Sequence, residues 1–144
     1  MATLVSPPAT SAHVRTIMQK NKAKDTNPEL RFRTELFHMG IIGYRKHRAD
    51  IPGKPDIAFI GRRIAIFING CFWHKCPKCK ISYPTTNQAY WREKINRNTK
   101  RDERILRELR QLDWKPIVIW ECQLRRDAAS CAQKIYRALA EATK

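Results

Sequence analysis

Three cysteines fall within nine residues, in the pattern Cys71-x4-Cys76-x2-Cys79, and a fourth, Cys122, lies just beyond a later apolar run. Thiolates at this spacing are what structural zinc takes from one loop, and a closed set of four soft ligands leaves no open position for catalysis. The competing readings are a redox pair or unrelated thiols. His74 is a rival ligand, but its place between Cys71 and Cys76 lets only one of these neighbours turn inward with ease. Asp56 opens an apolar run in Gly53-Lys54-Pro55-Asp56. A carboxylate at a strand end, followed by a second strand, is how metal-dependent nucleases hold Mg²⁺ against a scissile phosphate, although an Asp beside a Pro is more often a turn. His74 adds an imidazole able to deprotonate water near neutral pH, and Asp102 is a carboxylate able to orient it.

Those side chains need elements to hold them. Residues Trp91 to Leu112 read as a helix with an inward stripe at Trp91, Ile95, Asn98, Asp102, Ile105, Leu109 and Leu112. Asn98 and Asp102 stand where apolar residues are expected. Burying an amide and a carboxylate without partners costs roughly several kcal/mol, so they are expected to face a site. The alternative is that the first half of the helix overhangs the domain. Phe72-Trp73 and Tyr90-Trp91, among Lys75, Lys78, Lys80, Arg92 and Lys94, have the composition of a surface that stacks on or wedges between bases. Without that basic company such aromatics would be read as core.

Asp56 to Ile60 and Ile64 to Ile68, joined by Gly61-Arg62-Arg63, read as a buried hairpin. Pro116 to Trp120 follows the long helix and is expected to join the same sheet after a crossover. Asn27-Pro28-Glu29 marks a helix start, with Leu30, Arg33, Leu36 and Phe37 at helical spacing and Gly40 closing it. Tyr44 to Gly53 reads as a solvated loop. A last helix is expected after Asp127, with Cys131, Ile135, Leu139 and Ala142 on one stripe, which makes Cys131 core and not a ligand. Residues 1–14 read as a flexible tail, Arg15 to Lys24 as a short basic helix or an arm on nucleic acid, and 15–144 as one domain.

A length of 144 residues with 42% hydrophobic content suits a single folded core. The 29 Lys and Arg against 13 Asp and Glu give a net charge of +16, which points to a polyanion, nucleic acid first, with a general cationic surface as the alternative. No apolar run approaches the roughly 18–20 residues of a spanning helix, and the N-terminus lacks a secretory pattern. With 5 cysteines, an odd number, a disulfide framework is disfavoured. A soluble protein of a reducing intracellular compartment is expected.

Several blocks stand in order along the chain: Asp25-Thr26-Asn27-Pro28-Glu29-Leu30; Ile51-Pro52-Gly53-Lys54-Pro55-Asp56, with Ile51 in place of leucine; Gly70-Cys71-Phe72-Trp73-His74; Trp91-x2-Lys94-Ile95-x2-Asn98-x3-Asp102; and Trp120-Glu121-Cys122. From Arg15 to Arg126 the chain thereby resembles the very short patch repair (Vsr) endonucleases, which nick DNA 5′ to the thymine of a T:G mismatch. The resemblance implies an α/β fold of the restriction-endonuclease-like PD-(D/E)XK type, a mixed central sheet flanked by helices, here joined to the zinc site. It implies Mg²⁺ on Asp56 and the backbone carbonyl of Ile68, His74 as general base, and Asp102 and Glu29 in support. Phe72, Trp73 and Trp91 match an aromatic wedge entering from the major groove, and Met18 matches a side chain entering from the minor groove. Lys94 and Asn98 match positions against the mismatched pair.

The implied partners are double-stranded DNA with a T:G mismatch, mismatch-repair proteins and a DNA cytosine methyltransferase. The implied setting is a monomer at the nucleoid of a prokaryotic cytoplasm, with no membrane. Two departures stand out. Asn69 stands where some family members carry a second histidine thought to assist protonation of the leaving group, and Cys76 and Cys79 replace a mixed histidine and cysteine arrangement known in the family. Two rival readings remain: the same nickase chemistry on other lesions or sequences in a restriction or defence system, and a zinc-stabilised nucleic-acid-binding protein without catalysis.

Overall fold

Alternating apolar side chains in the strands decide how the helices stack. Ile57, Phe59, Ile64, Ile66, Ile117 and Ile119 belong to one buried cluster, whereas Ala58 and Ala65 belong to another. That period of two is the signature of strands covered on both faces. The computed structural model describes residues 27–79 and 84–142. Met18, the expected tail and the Arg15 to Lys24 arm lie outside these residues.

Four strands form one sheet in the order β1 (Arg45–Lys46), β2 (Ile57–Phe59), β3 (Ile64–Asn69) and β4 (Lys115–Trp120). The first three are antiparallel neighbours, with Arg45 opposite Ala58 and Phe59 opposite Ile64. β3 and β4 run parallel, from Ile64 beside Lys115 to Asn69 beside Trp120. The helices are α1 (Asn27–His38), α2 (Cys71–His74), α3 (Gln88–Gln111) and α4 (Glu121–Ala142). α1 and α4 cover the isoleucine-rich face with Phe32, Leu36, Leu124, Cys131 and Ile135, while α3 covers the alanine face with Leu109 and Ile105. The hairpin, the crossover to a parallel strand and the mixed sheet between helices are as the sequence reading expects, and Cys131 is buried in the core. No helix among the described residues is long and apolar enough to cross a membrane.

Details depart from expectation in four places. α1 ends as expected at Gly40, whose φ of 73° allows the closing turn; its N–H bonds the Phe37 carbonyl at 3.0 Å and the Ile41 N–H bonds the Leu36 carbonyl at 2.9 Å. Its buried stripe, however, is Glu29, Phe32 and Leu36, and the expected Phe37 is 73% exposed. The Tyr44 to Gly53 segment is not all solvated loop: it contains β1, and Ile51 is buried. On α3, Leu112 caps the helix and is exposed. α4 begins at Glu121, directly off β4, and breaks at Asp127 (φ −159°, ψ 85°). The Asp127 carboxylate then caps the second segment, accepting from the Ser130 N–H at 3.1 Å and its hydroxyl at 2.6 Å. Ala142, expected on the inward stripe, is exposed.

The phase of α1 is directly testable. Phe32→Ala should cost about 3–5 kcal/mol by cavity formation, and Phe37→Ala should stay within about 0.5 kcal/mol, as read from denaturant unfolding.

Candidate functional site

β3 ends at Asn69 and the chain turns through Gly70 into α2, a single turn closed by Lys75 in a left-handed conformation and by the Cys76 N–H on the Cys71 carbonyl at 3.0 Å. Because β4 runs parallel to β3, α4 starts at this same end of the sheet and brings Cys122 with it. The sulfurs of Cys71, Cys76, Cys79 and Cys122 lie within 4.8 Å of one another, with Cys76 and Cys122 at 3.7 Å. Four thiolates around a tetrahedral ion with metal–sulfur bonds of about 2.3 Å stand roughly 3.8 Å apart, so the group fits a structural metal site. Burial works against ionisation of Cys76, but the backbone N–H groups of Cys79 and Lys78 aim at its sulfur and bring its pKa below the ordinary thiol value. Burial keeps Cys71 well above it, even with the Cys122 N–H aimed at that sulfur. His74 is not in the group; its ring meets Asp102 of α3 instead.

There, Nδ1 of His74 and Oδ2 of Asp102 form a 2.5 Å hydrogen bond. One turn earlier on α3, the Asn98 amide donates to the Trp73 carbonyl at 3.0 Å. The two polar residues that interrupt the apolar stripe thus fasten α3 to α2. With the Nδ1 proton given to a carboxylate, Nε2 is the basic nitrogen of His74.

A second polar group gathers where β2 begins. The Ile57–Ile66 register puts Asp56 near the far end of β3, where the Ile68 N–H donates to Asp56 Oδ2 at 2.7 Å. The contact seen from Ile68 is thus made by its N–H. Glu29, in the first turn of α1 and 2% exposed, accepts from Arg33 Nη1 at 3.2 Å and meets His47 Nε2 at 2.7 Å. Ligand atoms of Glu29, His47 and Asp56 all lie within 4.8 Å of one another. Burial, aided by the Glu29 carboxylate, pushes Asp56 up to about 7 against the opposing pull of the Ile68 N–H. Paired carboxylates held out of water are a hard-oxygen donor set suited to a divalent cation.

His47 escapes the sequence reading. Nothing in its spacing marks it, and only the pairing of Lys46 with Ile57 carries it to Asp56. Its backbone is left-handed (φ 50°), at a cost of about 1–2 kcal/mol for a residue with a Cβ.

The aromatics form one cluster. Phe72 to Trp73, Phe72 to Trp91, Trp73 to Trp91 and Tyr90 to Trp91 have centroid separations of 5.1, 5.7, 5.6 and 5.1 Å. Phe72 and Trp73 are half-buried, whereas Trp91 is 2% exposed and lies beneath them. Lys94 Nζ sits 5.4 Å from the Trp73 ring centroid and 5.9 Å from that of Tyr90. An oriented imidazole, a carboxylate pair and an aromatic, cationic surface meet at one end of the sheet. These are the parts of metal-assisted phosphodiester hydrolysis.

Comparison with known proteins bears on this arrangement. A family model described as DNA mismatch endonuclease Vsr matches residues 9–80. The chain is 39% identical over 118 residues to the type II nicking enzyme V.NaeI of Lentzea aerocolonigenes, spanning 78% of this chain and 70% of that one. It is 39% identical over 127 residues to the type II nicking enzyme V.NmeAIP of Neisseria meningitidis, spanning 87% and 88%. It is 36% identical over 108 residues to the DNA mismatch endonuclease Vsr of Escherichia coli, spanning 75% and 69%.

The buried carboxylate pair gives stability a defined pH dependence. The Asp56 pKa rises from 3.8 to about 7 on folding, so the folded state binds more protons and loses stability as pH climbs through that interval. In EDTA, Asp56→Asn should therefore raise the melting temperature by several degrees at pH 8, on the order of 2–4 kcal/mol, and hardly at all at pH 4. Thermal scans at the two pH values check this.

Proposed function

Since the chain belongs to the Vsr family of DNA mismatch endonucleases, we propose that this DNA-nicking enzyme cuts one strand 5′ to the thymine of a T:G mismatch in very short patch repair. The observation that carries the reading is the His74–Asp102 hydrogen bond at the same sheet end as Asp56 and Glu29. Membership of an endonuclease family removes the non-catalytic alternative.

Asp56 and the Ile68 carbonyl would hold Mg²⁺, with Glu29 in support; when bound, the ion would supply charge neutralisation at the phosphate and the departing oxygen. The remaining work belongs to side chains. Asp102 holds His74 by its Nδ1 proton, so Nε2 accepts a proton from water as the water oxygen attacks phosphorus. The bond to the 3′ oxygen breaks, and that oxygen takes a proton from solvent, since Asn69 at the end of β3 carries no titrating proton to give. The products are a 5′-phosphate and a 3′-hydroxyl.

Phe72 and Trp73 wedge between base steps from the major groove, with buried Trp91 backing them and not entering the stack in the arrangement seen here. Lys94 and Asn98 contact the mismatched pair, and Met18 enters from the minor groove. A wobble pair unstacks at lower cost than a matched one, which links the wedge to discrimination. Zinc on Cys71, Cys76, Cys79 and Cys122 ties α2 to the start of α4 and so fixes the helix that carries His74. A second reading, the same chemistry directed to another sequence within a restriction system, is favoured by relatives named as type II nicking enzymes.

On duplexes identical except for T:G against C:G at one position, nicking should require both the mismatch and Mg²⁺. Cleavage governed by flanking sequence and indifferent to the mismatch would favour the second reading. His74→Ala should lower the rate about 10²–10⁴-fold, with a residual rate that rises with pH and an unchanged zinc content. Cys122→Ser should lower both the zinc content, from about one per chain, and the melting temperature; elemental analysis and a thermal scan decide.

A further inference from the structure

Glu29 is the one charged side chain among the described residues that is fully buried. It belongs to α1, while Asp56 stands just before β2, and the two carboxyls also interact directly, so their separation depends on how α1 is held against the sheet. Arg33, 3.2 Å from Glu29 Oε2, lies on the same helix as Glu29. His47 does span the two. Its backbone N–H bonds the Asp56 carbonyl at 3.3 Å, and its Nε2 meets Glu29 Oε2 at 2.7 Å. Arg45 and Lys46, just before it, are both exposed, whereas the left-handed backbone of His47 turns its side chain inward to 14% exposure.

We propose that His47 is a positioning residue of the cation site: the bond from its ring to Glu29, braced by its own N–H on the Asp56 carbonyl, sets the separation of the two carboxylates and hence their affinity for a divalent cation. In this role His47, whose Nε2 is engaged by Glu29 Oε2 at 2.7 Å, acts through Glu29 and not as a ligand itself. The inference rests on the reading of Asp56 as a cation ligand in DNA nicking. Two carboxylates share a hard cation well only when both aim at one point, and an N–H donor on one oxygen of Glu29 orients the other.

The test uses the full chain with His47→Ala and His47→Gln. Mn²⁺ binding is followed by electron paramagnetic resonance, with and without a matched duplex, and nicking of a T:G duplex is followed against Mg²⁺ concentration. His47→Ala should weaken Mn²⁺ binding and raise the half-maximal Mg²⁺ concentration, each about tenfold, with a loss of rate that shrinks as Mg²⁺ increases. His47→Gln keeps an N–H within reach of Glu29 and should recover most of both; it also decides the matter if the alanine variant fails to fold. Unchanged midpoints in His47→Ala would overturn the proposal, as would a folded His47→Gln no better than alanine, or a parent protein that binds no Mn²⁺. A loss confined to Mn²⁺ and sparing Mg²⁺ would make His47 a direct ligand and overturn it equally. If the parent binds Mn²⁺ in a His47-dependent way yet nicks no duplex, the nickase reading fails and the positioning role stands.

Discussion

The parallel pairing of β3 and β4 is the contact on which the polar centres depend. It aligns Asn69 with Trp120, so the two chain segments leaving the sheet do so side by side. One becomes α2, with Cys71 and His74; the other becomes α4, with Cys122. A slip of one residue would exchange the faces of every β4 side chain and carry Cys122 away from its three partners. The isoleucines that resist that slip, Ile117 and Ile119, are buried between the sheet and the helices α1 and α4. Core packing and placement of the sulfur cluster are therefore one constraint.

The carboxylate pair shows the opposite balance. Nothing in hydrophobic packing favours Glu29 at 2% exposure beside a half-buried Asp56 whose proton is retained to about pH 7. Such a pair is stabilised only by a proton, a donor or a cation, so the site is kept at the expense of the fold. Donors that serve it include the Ile68 N–H on Asp56, and Arg33 and His47 on Glu29. At His74 the balance is local, because Asp102 supplies the partner its ring requires, and Asn98 secures the backbone of the same turn.

The legible parts of the sequence were those where side-chain period and chain order act alone. The β-branched runs gave the hairpin and the crossover strand, the cysteine spacing gave three clustered sulfurs and the place of Cys122 beyond the third apolar run gave the fourth, and Asn98 and Asp102 stood out because they broke a regular stripe. The phase of α1 was misread because Leu30, Leu36 and Phe37 form a plausible apolar face, and a stripe containing Glu29 scores poorly until its partner is known. The first segment of α4 was missed because it leaves β4 with no intervening turn residues, and Asp127, a sound capping signal, lies within the helix and not before it. His47 depended on a two-residue strand with no pattern of its own. Phe72, Trp73 and Trp91 look alike in sequence, whereas burial separates Trp91 from the other two.

The edges of the sheet bear on how such a basic protein keeps to itself when crowded along a polyanion. An unpaired strand edge is a template for joining another copy edge to edge. Among the described residues one edge is β1, two exposed residues long, both cationic. The other is β4, which opens with Lys115 and then Pro116, a residue with no N–H to offer. Each margin thus presents charge with either little length or a gap in its ladder of donors. Neighbouring copies brought close by DNA meet a poor surface for strand addition, and the open sheet carries a small aggregation risk despite its isoleucine-rich strands.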